Sequence, residues 1–77
     1  MLKKLQNYIL DNEFKMVVLT NKVDIVNYVD IDHFDSNKII VRYKNGVVIV
    51  KGEELIISKL LTDEILISGK LKAIEMQ

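Results

Sequence analysis

Three stretches of the chain, Ile39-Ile40-Val41, residues 47–50 (VVIV) and Leu55-Ile56-Ile57, are apolar at every position. A strand in a sheet with one solvent face alternates apolar and polar residues. These stretches do not alternate, so both of their faces ask for cover. The chain has only 77 residues with which to supply it. A domain of that size buries roughly 60% of its unfolded surface and is marginal without disulfides, a metal or oligomerisation. Cysteine is absent, which removes disulfides and thiolate metal sites together and fits a reducing compartment. Association is the helper that remains. Covering a few hundred Å² at about 25 cal/mol per Å² is comparable with the whole stability of a small domain. The expectation is a homo-oligomer whose candidate association surface includes Ile40, Val48, Val50 and Ile56, on the outer faces of strands 47–50 and 55–57.

The rest of the chain supports a mainly β fold. Residues 1–13 place Leu2, Leu5, Tyr8 and Ile9 on one side of a short N-terminal helix, too short to stand alone in water and so expected to dock on a sheet. Residues 15–76 form the β region. Residues 15–20 (KMVVLT) are a short strand closed by Asn21-Lys22, and in residues 23–32 Val23, Ile25, Val29 and Ile31 oppose Asp24, Asp30 and Asp32. Asp35-Ser36-Asn37 reads as a turn. Asn45-Gly46 between two β runs predicts a type I′ hairpin with positive φ at both residues. Residues 55–60, 64–68 and 71–76 are further strands, with Gly52 and Gly69 marking bends or bulges. Proline is absent, so no strand lacks a ladder donor. The segments VKGEELII (50–57) and ISGKLKAI (67–74) echo each other, but the spacings are too uneven for a solenoid. The fold class is thus a short N-terminal helix followed by a small curled antiparallel sheet, barrel or sandwich of six to eight short strands, in one domain spanning 1–77.

Chemistry is poorly supplied. Asp30, Asp32, His33, Asp35, Ser36 and Asn37 form the one polar cluster, and its D-x-D-x-x-D spacing could offer oxygens to Ca²⁺ or Mg²⁺. It lacks the glycine and the distal glutamate of an EF-hand loop, so a solvated edge with a turn is the preferred reading. His33 beside Asp35 could in principle move protons, but no serine lies in a nucleophile elbow and there is no cysteine. Glu53, Glu54, Asp63 and Glu64 read as acids in exposed turns. Gly46, Gly52 and Gly69 are isolated, so no phosphate loop is present. Eleven basic residues balance eleven acidic ones and Arg42 is the single arginine, which disfavours nucleic acid despite Tyr28, Phe34 and Tyr43. The expectations are no enzymatic activity, no catalytic residues, no cofactor and no metal. No signal-peptide core and no run long enough to span a bilayer is visible, so an intracellular, cytoplasmic protein is expected.

From Leu19 onward the order of motifs resembles the YabP/YqfC family of sporulation proteins. Leu19, Asn21 and Lys22 match its Leu-x-Asn-Arg/Lys start, and Phe34-Asp35 its apolar-x-Phe-Asp segment. Gly46 matches its turn glycine, and Val50, Gly52, Leu55 and Ile57 its Ile-x-Gly-x-x-Leu-x-Ile segment. Asn27 stands where members often carry glycine, and Asn also suits positive φ. The close LLTDEILISGKLKAI is nearest to the YqfC branch. The resemblance covers about residues 19–75. It implies endospore formation in Firmicutes, in the cytoplasm of the developing cell, and no enzymatic reaction. The reading that follows is a self-associating structural or assembly module, with other sporulation proteins as further partners. The alternative is a partner- or peptide-binding module working by strand-edge addition, and behind it a small nucleic-acid-binding barrel.

Overall fold

The structure, a computed structural model, describes residues 13–77. The helix expected over residues 1–13 therefore lies outside the described residues, save for Glu13, which is in no regular element. Six strands follow: β1 (Lys15–Val18), β2 (Lys22–Val26), β3 (Asp30–Phe34), β4 (Lys38–Tyr43), β5 (Gly46–Leu60) and β6 (Glu64–Met76). They form one open antiparallel sheet in the order β1-β2-β6-β5-β4-β3. β1 and β3 are its outer strands.

Two expected pairs of short strands merge. Residues 47–51 and 55–60 are one strand, β5, and residues 64–68 and 71–76 are one strand, β6. Both long strands bend at the same place. The β5–β6 register shifts between Lys51 and Gly52 and again between Glu53 and Ile56, Glu54 has φ 54°, and Gly69 has φ 141°. Gly69 sits in the left-handed region that only glycine enters cheaply, and a Cβ there would lie 2.7 Å from the Glu54 carbonyl oxygen. Gly52 does not interrupt its strand. A Cβ on it would meet the Lys70 carbonyl oxygen at 2.1 Å, so glycine permits close approach at the bulge.

The bend divides the sheet into two halves of like construction. In one, the β1–β2 hairpin pairs with residues 64–68 of β6; in the other, the β3–β4 hairpin pairs with residues 46–51 of β5. The hairpin turns carry Thr20-Asn21-Lys22 and Ser36-Asn37-Lys38. The Leu19 N–H bonds the Lys22 carbonyl at 2.8 Å, and the Asp35 N–H bonds the Lys38 carbonyl at 2.9 Å. The Asn21 carbonyl accepts from the Gly69 N–H and the Asn37 carbonyl from the Gly52 N–H, both at 3.0 Å. The echo between residues 50–57 and 67–74 is the sequence trace of this internal pseudo-symmetry.

One core is shared by both halves. Val23, Ile25, Ile65 and Ile67 from the first join Ile39, Val41, Val48 and Val50 from the second, with Leu55 at the bend. All are β-branched except Leu55, which suits a pleated, buried surface. Val48 and Val50, expected on an association surface, are fully buried in this core. Their neighbours Val47 and Ile49 face the other way and are half-buried. With both faces apolar, period-two spacing could not say which one turned inward.

The hairpin after β4 also differs from expectation. Tyr43 pairs with Gly46, so Lys44-Asn45 is the two-residue loop. Neither Asn45 nor Gly46 has positive φ, and the type I′ turn is not made. Gly46 is needed for another reason: a Cβ on it would fall 1.9 Å from the Gln77 carbonyl oxygen. The last residue runs against β5 there, exchanging two 2.9 Å hydrogen bonds with Val47. Asn27 does take positive φ (66°), in the β2–β3 connection.

Candidate functional site

The two outer strands are the places where the sheet can be extended. β1 presents Met16-Val17-Val18 and then Leu19, an apolar run with no charge. Val17, Val18 and Leu19 are 54%, 51% and 58% exposed, although β-branched and large aliphatic residues of this kind are usually buried. β1 pairs only with β2, so its other edge leaves backbone N–H and C=O groups without a strand among the described residues. An apolar open edge is a template for pairing with another chain.

β3 is built differently. Asp30, Asp32 and His33 sit on it, Asp35 follows, and its register with β4 shifts between Ile31 and His33. The Arg42 guanidinium lies 3.0 Å from Asp30 and 3.6 Å from Asp32, so the cation beside the paired acids is an arginine. No group of three or more potential metal ligands occurs among the described residues. His33 Nε2 is 2.6 Å from Asp35 Oδ2. Asp35 Oδ1 accepts from the backbone N–H groups of Asn37 and Lys38, each at 2.7 Å. The His33 contact, aided by those two N–H groups, holds the Asp35 carboxyl down at about 2. The side chain thus closes a turn and stays charged. Such ionic and bulged edges resist pairing.

A groove of about 530 Å³ opens between β1 and the second half of β6. Met16, Val18, Leu19, Leu71, Ile74 and Met76 supply its apolar wall. β2 leaves β6 after Ser68, so residues 70–76 have β5 on one side and no strand on the other among the described residues. The Phe14 ring, just before β1, stacks on Tyr43 with ring centroids 4.2 Å apart.

The remaining candidates are dispersed. Ile56 is exposed at 57% and Ile40 half-buried, on different halves of the sheet. Glu53 bridges to Lys72 at 2.9 Å and approaches Lys70 at 4.0 Å. Glu54 and Asp63 are exposed, whereas Glu64 lies against Asp24 across the β2–β6 pair. Sharing with the Asp24 carboxyl, and then partial burial, push the Glu64 carboxyl up. Asp24 Oδ1 is itself buried without a donor. That pair was not singled out in the sequence; its signal is the acid at 24 in the alternating run VDIV of β2. Tyr28 donates to the Leu61 carbonyl at 2.7 Å and Tyr43 stacks on Phe14, so the ring faces do not line one basic surface.

Together these features define a small all-β domain with two unequal open edges and an apolar groove, and no helix among its described residues is long and apolar enough to cross a membrane. A family model described as the YabP family matches residues 10–77, and the chain belongs to that family. Membership points to a sporulation-related role. No curated protein matches the chain.

Proposed function

We propose that this YabP-family protein is a non-enzymatic sporulation module that works by associating with copies of itself through the open edge of β1. One observation carries the reading: β1 is an outer strand whose apolar residues 16–19 include three that are more than half exposed. Pairing two such edges extends the sheet and takes Val17 out of water, a gain of roughly 25 cal/mol for each Å² covered. Ile56, exposed on the same half of the sheet, is a second contact point. The chain's close (LLTDEILISGKLKAI) favours the YqfC-like branch, and the family context favours the cytoplasm of a spore-forming cell. The non-enzymatic reading is supported by His33 and Asp35, whose pairing is spent on a turn.

Sedimentation velocity at micromolar concentration tests the proposal. The wild type sediments as an oligomer, and Val17→Lys, which puts a charge on the edge, shifts it to monomer. A monomeric wild type retained on another sporulation protein would move the reading to heterotypic strand addition.

A further inference from the structure

We infer that the Asn45–Gly46 peptide is a modification site of the folded protein, deamidating through a cyclic imide with water as the only co-reactant. The site lies in the hairpin between β4 and β5, on the half of the sheet that lacks β1, so the inference stands apart from self-association.

The fold itself sets up the reactive pair. Gly46 cannot carry a side chain, because a Cβ there would fall 1.9 Å from the Gln77 carbonyl oxygen. The same bareness leaves the Gly46 nitrogen unshielded toward the side chain before it. Asn45 is the second residue of the two-residue loop and is exposed. Of the six asparagines in the chain, Asn45 is the one followed by glycine; the others precede Lys, Tyr or Glu. Two of those others are also tied through the amide that would have to leave. Asn27 Nδ2 donates to the Glu13 carbonyl at 2.7 Å, and Asn37 Nδ2 to the Gly52 carbonyl at 3.3 Å. Asn45 makes no such bond among the described residues.

The chemistry balances with water alone. The Gly46 nitrogen gives up its proton and attacks Asn45 Cγ, forming the N–Cγ bond. The Cγ–Nδ2 bond breaks, and the amide nitrogen leaves as ammonia with that proton. Water then opens the five-membered imide at one of its two carbonyls. Cleavage at Cγ leaves aspartate at position 45, and cleavage at the main-chain carbonyl leaves isoaspartate. Nothing is oxidised or reduced.

Gly46 pairs with Tyr43 across the loop, so its N–H must come free for the reaction. Neither loop residue takes the left-handed conformation of a twist-matched hairpin turn. Local opening of this kind takes microseconds to seconds, and a reaction proceeding over days samples it many times. Either product adds one negative charge to a chain of formal charge zero. Isoaspartate also inserts a methylene into the main chain just before Gly46. Gly46 then cannot keep its place against Gln77, and the two 2.9 Å bonds between Val47 and Gln77 are lost.

Peptide mapping by mass spectrometry tests the inference on the full-length folded protein, held for days at mildly alkaline pH. A gain of one mass unit is expected in the peptide containing Asn45, and none in that peptide from Asn45→Gln, whose longer side chain would have to close a six-membered ring. A folded protein that stays unmodified while the urea-unfolded chain reacts would overturn the inference, as would an earlier gain at Asn21, Asn27 or Asn37. Hydrogen exchange gives a second readout. The aged protein is expected to lose protection at Val47 and Gln77 and keep it at Val41, whereas fresh Asn45→Asp, which adds the charge without the methylene, keeps all three. Equal protection at Val47 in aged and fresh wild type would overturn the opening toward the main chain.

Discussion

β1 and β3 hold equivalent places in the two halves of the sheet, and they are made of opposite materials. Each opens a hairpin whose turn ends in Asn-Lys, and each turn's Asn carbonyl caps a glycine of a long strand. One outer strand then reads KMVV and the other DIDHF. The fold does not require the difference, because both hairpins serve the same core. The charges, the Arg42 bridges and the bulge on β3 guard that edge against pairing, whereas β1 has no bulge or ion-pair network and a single charge, Lys15, at its start. The contrast teaches where this molecule can afford contact and where it is guarded against it.

The comparison can be broken at what the halves share. Ile67→Ala, in the centre of the common core, is expected to cost about 2–5 kcal/mol, measured by urea unfolding, and to loosen both edges together. Gly52→Ala forces a Cβ toward the Lys70 carbonyl and is expected to cost about 1–3 kcal/mol in the same measurement. Its partner Gly69→Ala adds the strain of a positive φ.

It can be sharpened at the edges themselves. Replacing the guard, with Asp32→Val and His33→Val together, is expected to open a second association edge at β3. Light scattering would then show larger, higher-order species than the wild type. No such increase would mean that charge is not what protects β3.

The smallest effects are electrostatic and opposite in sign. Asp35 is held low, so its contribution is present above the ordinary carboxylate value of 3.8 and is lost as pH falls toward about 2. Glu64 is pushed up, so its contribution is present below its ordinary value of 4.5 and is lost as pH rises through its raised folded value. Glu64→Gln is therefore expected to raise the melting temperature modestly at neutral pH, and Asp35→Asn to lower it. Melting curves between pH 2 and 7 separate the two.

Much of the fold was legible because the physics is local. Val23, Ile25 and Asp24 alternate, and β2 forms with the two apolar residues inside. The Asp35-Ser36-Asn37 turn closes through its own side chain, as short polar residues do. What was illegible depended on distant backbone. Gly46, Gly52 and Gly69 read as turn or bend signals, yet at the first two glycine is required by a distant carbonyl, that of Gln77 just past β6 or of Lys70 on β6. The shared Asn-Lys turns and the echoing glycine segments held the pseudo-symmetry in plain view, but only pairing shows that they belong together. Of the residues expected on an association surface, Ile56 is exposed and Val48 and Val50 are buried, since an all-apolar strand does not declare its inner face. The run KMVVLT was visible as a strand; that it would be an unguarded edge follows only from strand order.

The central claim is that β1 is the working edge. Sedimentation velocity at one micromolar-range concentration should compare wild type, Val17→Lys on β1 and Ile31→Lys on β3. The account predicts an oligomer for the wild type, a folded monomer for Val17→Lys, and an oligomer retained in any Ile31→Lys protein that stays folded. An oligomer undisturbed by Val17→Lys, or a wild type that is monomeric throughout, would contradict it.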